Sequence, residues 1–157
     1  MRIQFFVSGI PKAQPRARAT IRPGAKHASV YDPGTANDWR RLVMAAAQAA
    51  YRGEPLTVPL RIDVAWYFPR PKSHFRTGRR AGELREDAPV CHSGRPDRDN
   101  LDKTILDALE ACGLLHDDCL ACLGTLAKYY VSACNHGGQP GASVTIRNAL
   151  GWEGERP

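Results

Sequence analysis

The stretch that most constrains this chain is Arg95-Pro96-Asp97-Arg98-Asp99-Asn100-Leu101-Asp102-Lys103, followed one apolar stripe later by Asp117-Asp118. Leu101, Ile105, Ala108, Leu109 and Cys112 recur at helical spacing, and Gly113 stops them. The run is therefore the mouth of an amphipathic helix that starts near Asp99 or Asn100. Asp99, Lys103 and Asp107 fall at i, i+4 and i+8 on one face, roughly opposite the stripe. Asp97 precedes the helix, where extended backbone can aim its carboxylate toward that of Asp99. Carboxylates this close repel unless a cation lies between them. A hard divalent ion takes one or two carboxylates, several waters and a substrate phosphate. An acidic knot of this kind reads first as a metal-dependent phosphodiester site.

In that reading Asp97, Asp99 and Asp118 hold one or two Mg²⁺ ions. Lys103 neutralises charge developing on the phosphate, and Arg95 and Arg98 grip neighbouring phosphates. The second acidic pair reaches the first only if the strand after the helix runs back beside the helix start. Each residue also has a plainer role. Asp99 or Asn100 serves as an N-cap worth about 1 kcal/mol. Lys103 and Asp107 form a surface pair worth about 0.3 kcal/mol, and Asp117-Asp118 makes a turn. Asp97 has no such duty.

The rest of the chain supplies short alternating segments. Ile3–Val7 reads as a strand, closed by Ser8-Gly9 and the prolines at 11 and 15. Residues 11–34, rich in Pro, Arg and Gly, read as a long basic loop. Thr35 or Asn37 caps a helix to about Tyr51, with Trp39, Leu42, Val43, Ala46 and Ala50 as its stripe. Leu60–Phe68 is a strand. Residues 69–95 are a second basic loop, ordered only in part without a ligand. Residues 119–131 and 142–148 are two strands joined by a Gly-rich turn. The expectation is one α+β domain over residues 1–150, a mixed sheet with two packed helices in the order β-α-β-α-β-β, and a polar tail at 151–157.

Charge sharpens the functional side. The 157-residue chain carries a formal +6, with a pI of about 9.3. Residues 1–31 contain Arg2, Lys12, Arg16, Arg18, Arg22 and Lys26 and no acid, and Arg70, Lys72, Arg76, Arg79 and Arg80 form a second cluster. Two basic stretches around an acidic knot favour a nucleic-acid partner. Five cysteines, an odd count, and no export signal or membrane-length apolar run fit a reduced, cytoplasmic protein. Cys119 and Cys122 have CxxC spacing, with Cys91-His92 and Cys134/His136 as conceivable partners for zinc. The second half of a zinc site at the usual spacing is missing.

Residues 95–118, with Asn100-Leu101, Lys103, Asp107-Ala108-Leu109, Gly113 and His116-Asp117-Asp118, closely resemble the signature of the RusA family of Holliday-junction resolvases. Pro11–Arg18, Tyr31-Asp32-Pro33 and Pro69–His74 look similar to loops of its phage-type members. The resemblance implies a small, homodimeric, Mg²⁺-dependent endonuclease of bacteria and prophages, with Mn²⁺ as the alternative ion. It implies paired, symmetric nicks in four-way DNA junctions, in recombination and repair. Its catalytic residues fall on Asp97, Asp99, Lys103 and Asp118, three of them metal ligands. DNA-binding cations are expected at Lys12, Arg16, Arg18, Arg70, Lys72, Arg95 and Arg98. A non-catalytic DNA-binding module on the same fold and a zinc-stabilised interaction protein are the alternatives.

Overall fold

The computed structural model describes residues 1–15, 18–20, 27, 29–31, 34–132 and 136–149. Along them run β1 (Arg2–Ser8), β2 (Arg18–Thr20), β3 (Ser29–Tyr31), α1 (Asn37–Ala50), β4 (Leu60–Phe68), α2 (Arg98–Ala111), β5 (Ala121–Leu123), β6 (Leu126–Tyr130) and β7 (Gly141–Asn148). β4 organises the rest. Its side chains alternate without a break, burying Leu60, Ile62, Val64, Trp66 and Phe68 and leaving Arg61, Asp63, Ala65 and Tyr67 on the opposite face. β7 pairs with it antiparallel on one side, and β1 pairs antiparallel with β7. β5 and β6 pair with β4 in parallel on the other side. Parallel pairing needs a crossover, and α2 is that crossover, making β4-α2-β6 a βαβ unit.

Both helices pack on one face of this five-stranded mixed sheet. Trp39, Val43 and Ala47 of α1 and Leu101, Ile105, Ala108 and Leu109 of α2 meet Ile3, Phe5, Val7, Ala142, Val144, Ile146 and the inward residues of β4 in one core. Each large side chain buried there contributes roughly 1.5–3 kcal/mol. The result is a single α+β domain, as the pattern predicts. α2 spans the expected stripe, with Thr104 also buried on it, and ends at Gly113 in the left-handed region (φ +76°).

Several elements differ from the sequence expectation. The cap position of α1 is Ala36, with no side-chain bond from Thr35 or Asn37. Its buried face is Trp39, Val43 and Ala47, while Leu42 and Ala50 are exposed. The run 45–50 is almost all alanine, so its pattern cannot choose a face, and the large Trp39 ring decides. The basic loop 11–34 carries an antiparallel ribbon, β2 with β3, in which Arg18 pairs with Tyr31. Three-residue strands are too short to show a period of two.

Residues 119–131 are not one strand. A 3₁₀ turn at Asp118–Leu120 leads into β5, and the chain bends at Gly124 before β6. The pairing order, which the sequence leaves open, puts β4 between β6 and β7. The second basic loop is more ordered than its composition suggests. It holds 3₁₀ turns at Lys72–His74 and Gly78–Arg80 and a bridge from Phe75 to Leu84. It then runs along the outer edge of β6, where Tyr130 N–H donates to the Val90 carbonyl (2.9 Å) and His92 N–H to that of Lys128 (3.0 Å). The expected tail at 151–157 lies outside the described residues.

Candidate active site

Asp97 is the residue that caps α2 in position but not in chemistry. Its backbone is extended (φ −68°, ψ 144°) and its side chain makes no capping bond, although Asp is among the preferred capping residues. The carboxylate instead lines a cleft of about 610 Å³ with Ala13, Arg95, Pro96 and Asn100. The first basic loop forms the other wall, because Gln14 N–H donates to the Asn100 carbonyl (3.0 Å) and docks residues 11–15 on the helix mouth. Thr104, buried one turn on, donates its hydroxyl to the same carbonyl (2.9 Å). Asp99 lies in the first turn of α2, where the helix dipole favours negative charge.

Lys103 follows one turn after Asp99 and is exposed. Its Nζ reaches Asp107 Oδ1 at 3.2 Å, leaving two of its three donors free. Asp117 and Asp118 divide their duties. Asp117 Oδ1 accepts from the Cys119 N–H (2.8 Å), and the Cys119 thiol together with that N–H holds its carboxyl below the usual range. Asp118 opens the following 3₁₀ turn, exposed, and that turn packs against α2. The carboxylates of Asp97, Asp99 and Asp118 have no hydrogen-bond or ion-pair partner among the described residues, and neither do those of Glu54, Asp102 and Glu110. Most other described carboxylates have one, for example Asp63, Glu83, Glu86, Asp87 and Asp107.

Asp97, Asp99 and Asp118 do not gather into one metal-spaced cluster, and no other trio of His, Cys, Asp or Glu among the described residues does so. The donor set nevertheless fits a hard divalent cation. Mg²⁺ is typically held by one or two carboxylates plus waters and substrate phosphates rather than by an all-protein cage. Asp97 and Asp99, two residues apart at an exposed helix mouth, supply that minimum, and Asp118 is a third oxygen donor on an adjoining turn. The strand after the helix does run back beside the helix start: Arg98 Nη1 lies 3.5 Å from the Leu126 carbonyl, and Lys128 reaches the Pro96 carbonyl. Thiols are a poorer fit, since Asp117 raises the Cys119 thiol above its usual value and so disfavours the thiolate that zinc requires.

The expected DNA-binding cations divide as well. Arg95 is exposed on the wall of the cleft, Lys12 is exposed beside its lining residue Ala13, and Lys72 is exposed on its 3₁₀ turn. Arg70 is committed to the fold, donating to the carbonyls of Val131 (2.9 Å) and Pro89 (2.8 Å) and lying over the Tyr130 ring. Arg18 opens β2, and Arg16 lies outside the described residues. Sequence reasoning gave no role at this site to three groups, of which it named His92 only as a conceivable zinc partner. Asp102 is half-buried on α2, and burial pushes its carboxyl up. His92 stacks on Phe68 (4.2 Å between centroids), and burial together with the nearby Lys128 holds its imidazole below the usual range. Lys128 itself is a lone lysine in a strand, with no signal beyond that.

This arrangement can be set beside known proteins. The family model described as Endodeoxyribonuclease RusA matches residues 8–147, which includes both walls of the cleft, α2 and the Asp118 turn. The chain belongs to the RusA endodeoxyribonuclease family. It is also 31% identical over 145 residues to the uncharacterized protein YqaN of Bacillus subtilis (strain 168), covering 92% of this chain and 95% of that protein. Membership in RusA makes the free carboxylates the part of the molecule to explain first.

Proposed function

We propose that this RusA-family protein is a divalent-metal-dependent endodeoxyribonuclease that resolves four-way DNA junctions by paired, symmetric nicks, as a homodimer acting in recombination and repair. The observation that carries the reading is the placement of three exposed, partnerless carboxylates, Asp97 and Asp99 at the mouth of α2 and Asp118 on the turn packed against it, in a strongly basic chain. These residues would hold Mg²⁺, or Mn²⁺ as the alternative. When bound, such an ion polarises the scissile phosphate and lowers the pKa of a water. Lys103, one turn from Asp99, places an ammonium where negative charge builds on the phosphate and the leaving oxygen. Arg95 on the cleft wall and Lys12, exposed next to Ala13 of the same cleft, would hold the flanking phosphates. Paired nicks call for two such sites, one per protomer, related by a two-fold axis. No described helix is long and apolar enough to cross a membrane, and a cytoplasmic, bacterial or prophage setting suits the substrate.

The test is a labelled four-way junction and its matching linear duplex, each incubated with Mg²⁺, Mn²⁺ or chelator. Paired, metal-dependent nicks in the junction alone are expected. Asp99→Asn and Asp118→Asn should abolish cutting while binding stays intact or tightens, because negative charge near phosphates is removed. Asp117→Asn should cut at close to the wild-type rate, since that carboxylate serves a turn. Wild-type cutting by Asp99→Asn overturns the metal assignment. Tight binding with no cleavage in either metal replaces the nuclease with a DNA-binding module.

A further inference from the structure

We infer that Lys128 is a positioning residue for the acidic site, fastening the segment that presents Asp97 to β6, the second strand after the Asp118 turn. This rests on the nuclease reading above and names a residue that reading does not use. Lys128 stands on β6 opposite Trp66 of β4, on the helix side of the sheet. A strand lysine ordinarily extends its stem and keeps its ammonium in water. Here the side chain is half-buried, and Nζ donates to two backbone carbonyls, Gly94 and Pro96, at 2.6 Å each. Charge-assisted bonds of that length are about twice as strong as neutral ones.

The segment needs such a clamp. Among the described residues no backbone N–H from 93 to 97 bonds to the rest of the fold. His92 N–H anchors the chain before it, and after it the Asp97 carbonyl accepts from Leu101 N–H (3.2 Å) and the Asn100 carbonyl from Gln14 N–H (3.0 Å), so residues 93–96 are the stretch without a backbone anchor. Pro96 has no N–H to offer, and Gly94 adds backbone freedom. The Pro96 carbonyl belongs to the peptide joined to Asp97, so gripping it fixes the plane from which Asp97 departs. Asp118 lies ten residues before Lys128, at the head of the same β5–β6 segment. One ammonium therefore ties the two halves of the candidate site together. Losing it lets Asp97 wander, which weakens metal binding.

The sign of the effect separates this from plain electrostatics. Removing a cation near carboxylates should by itself tighten a divalent ion, whereas removing a clamp should loosen it. Lys128→Met keeps the stem beside Trp66 and removes every donor. Lys128→Gln, which retains an amide donor, is the second variant should the first fold poorly. Binding of Mn²⁺ to the purified full chain, read by electron paramagnetic resonance without DNA, should weaken about tenfold in Lys128→Met, the scale typical of residues that orient metal ligands. Lys128→Gln should fall between Lys128→Met and wild type. In an Asp97→Asn background, Lys128→Met should add nothing further, because the two act through one ligand. Wild-type or tighter Mn²⁺ binding by Lys128→Met, or a full additive loss on top of Asp97→Asn, overturns the positioning role and leaves the nuclease reading standing. A wild-type protein that neither binds Mn²⁺ nor cuts a junction overturns both.

Discussion

Asp63 shows how a single carboxylate can be spoken for while others in the same chain stay free. In the sequence it is only the polar beat of an alternating strand. In the fold it faces Arg61 (3.0 Å) and Arg147 (2.7 Å) and accepts from the Thr125 N–H (2.9 Å), tying β4, β7 and the bend before β6. Burial alone would raise its pKa, but Arg61, Thr125 and Arg147 together lower it to about 2. A carboxyl depressed on folding contributes stability that is present above its unfolded pKa near 3.8 and lost as pH falls through about 2. Solvent screening at this partly exposed site reduces the contribution to about 1–2 kcal/mol. Asp63→Asn should therefore lower unfolding free energy at pH 7 by that amount, and lose less than wild type between pH 4 and pH 2. Urea titrations at three pH values check it, and parallel pH profiles would count against the network. At the same scale, residue type alone does not separate Asp117 from Asp118; the family resemblance points to Asp118 as the expected ligand, and in the fold it is Asp117 that accepts from the Cys119 N–H.

Elements with long, one-sided patterns were legible, and short or uniform ones were not. α2 announces itself through its stripe and its glycine stop, and β4 through alternation over its first residues followed by an apolar, aromatic run. The alanine run of α1 hides its face, and the three-residue strands β2, β3 and β5 fall below any readable period. The break between β5 and β6 has a steric cause. A Cβ on Gly124 would collide with the carbonyl oxygen of Ile62, a backbone atom that cannot rotate away. Only glycine lets the chain cross β4 this closely and then hand the Thr125 carbonyl to the Val64 N–H (2.8 Å). Gly124→Ala should cost about 2–3 kcal/mol, in the range of overpacked interiors. The Val64 amide should exchange markedly faster with solvent. Unchanged stability together with unchanged Val64 protection would mean the bend relaxes freely.

Across the whole molecule, net charge proved a coarser guide than the pairing of individual charges. The sequence shows eleven cations in two basic stretches, and composition alone cannot say which of them meet DNA. In the fold, Arg76 and Arg80 are met by Glu86 and Glu83, and Arg85 nearby by Asp87, so much of the second loop neutralises itself. Arg70 is occupied by carbonyls. Arg95 stays exposed on the cleft wall beside Asp97. Binding to a four-way junction should weaken steeply with salt, because each phosphate neutralised by the protein releases counterions. For about six phosphate contacts the loss is roughly 10³ in affinity between about 50 and 200 mM salt. Arg95→Ala should reduce the slope of log affinity against log salt by about 0.9, the contribution of one phosphate contact. Arg80→Ala, whose partner is Glu83, should leave that slope unchanged. Titrations of both variants by fluorescence anisotropy across that range decide the matter. An equal change in the two slopes would mean that the paired loop releases its cations to DNA, and that the cleft is not the main phosphate track.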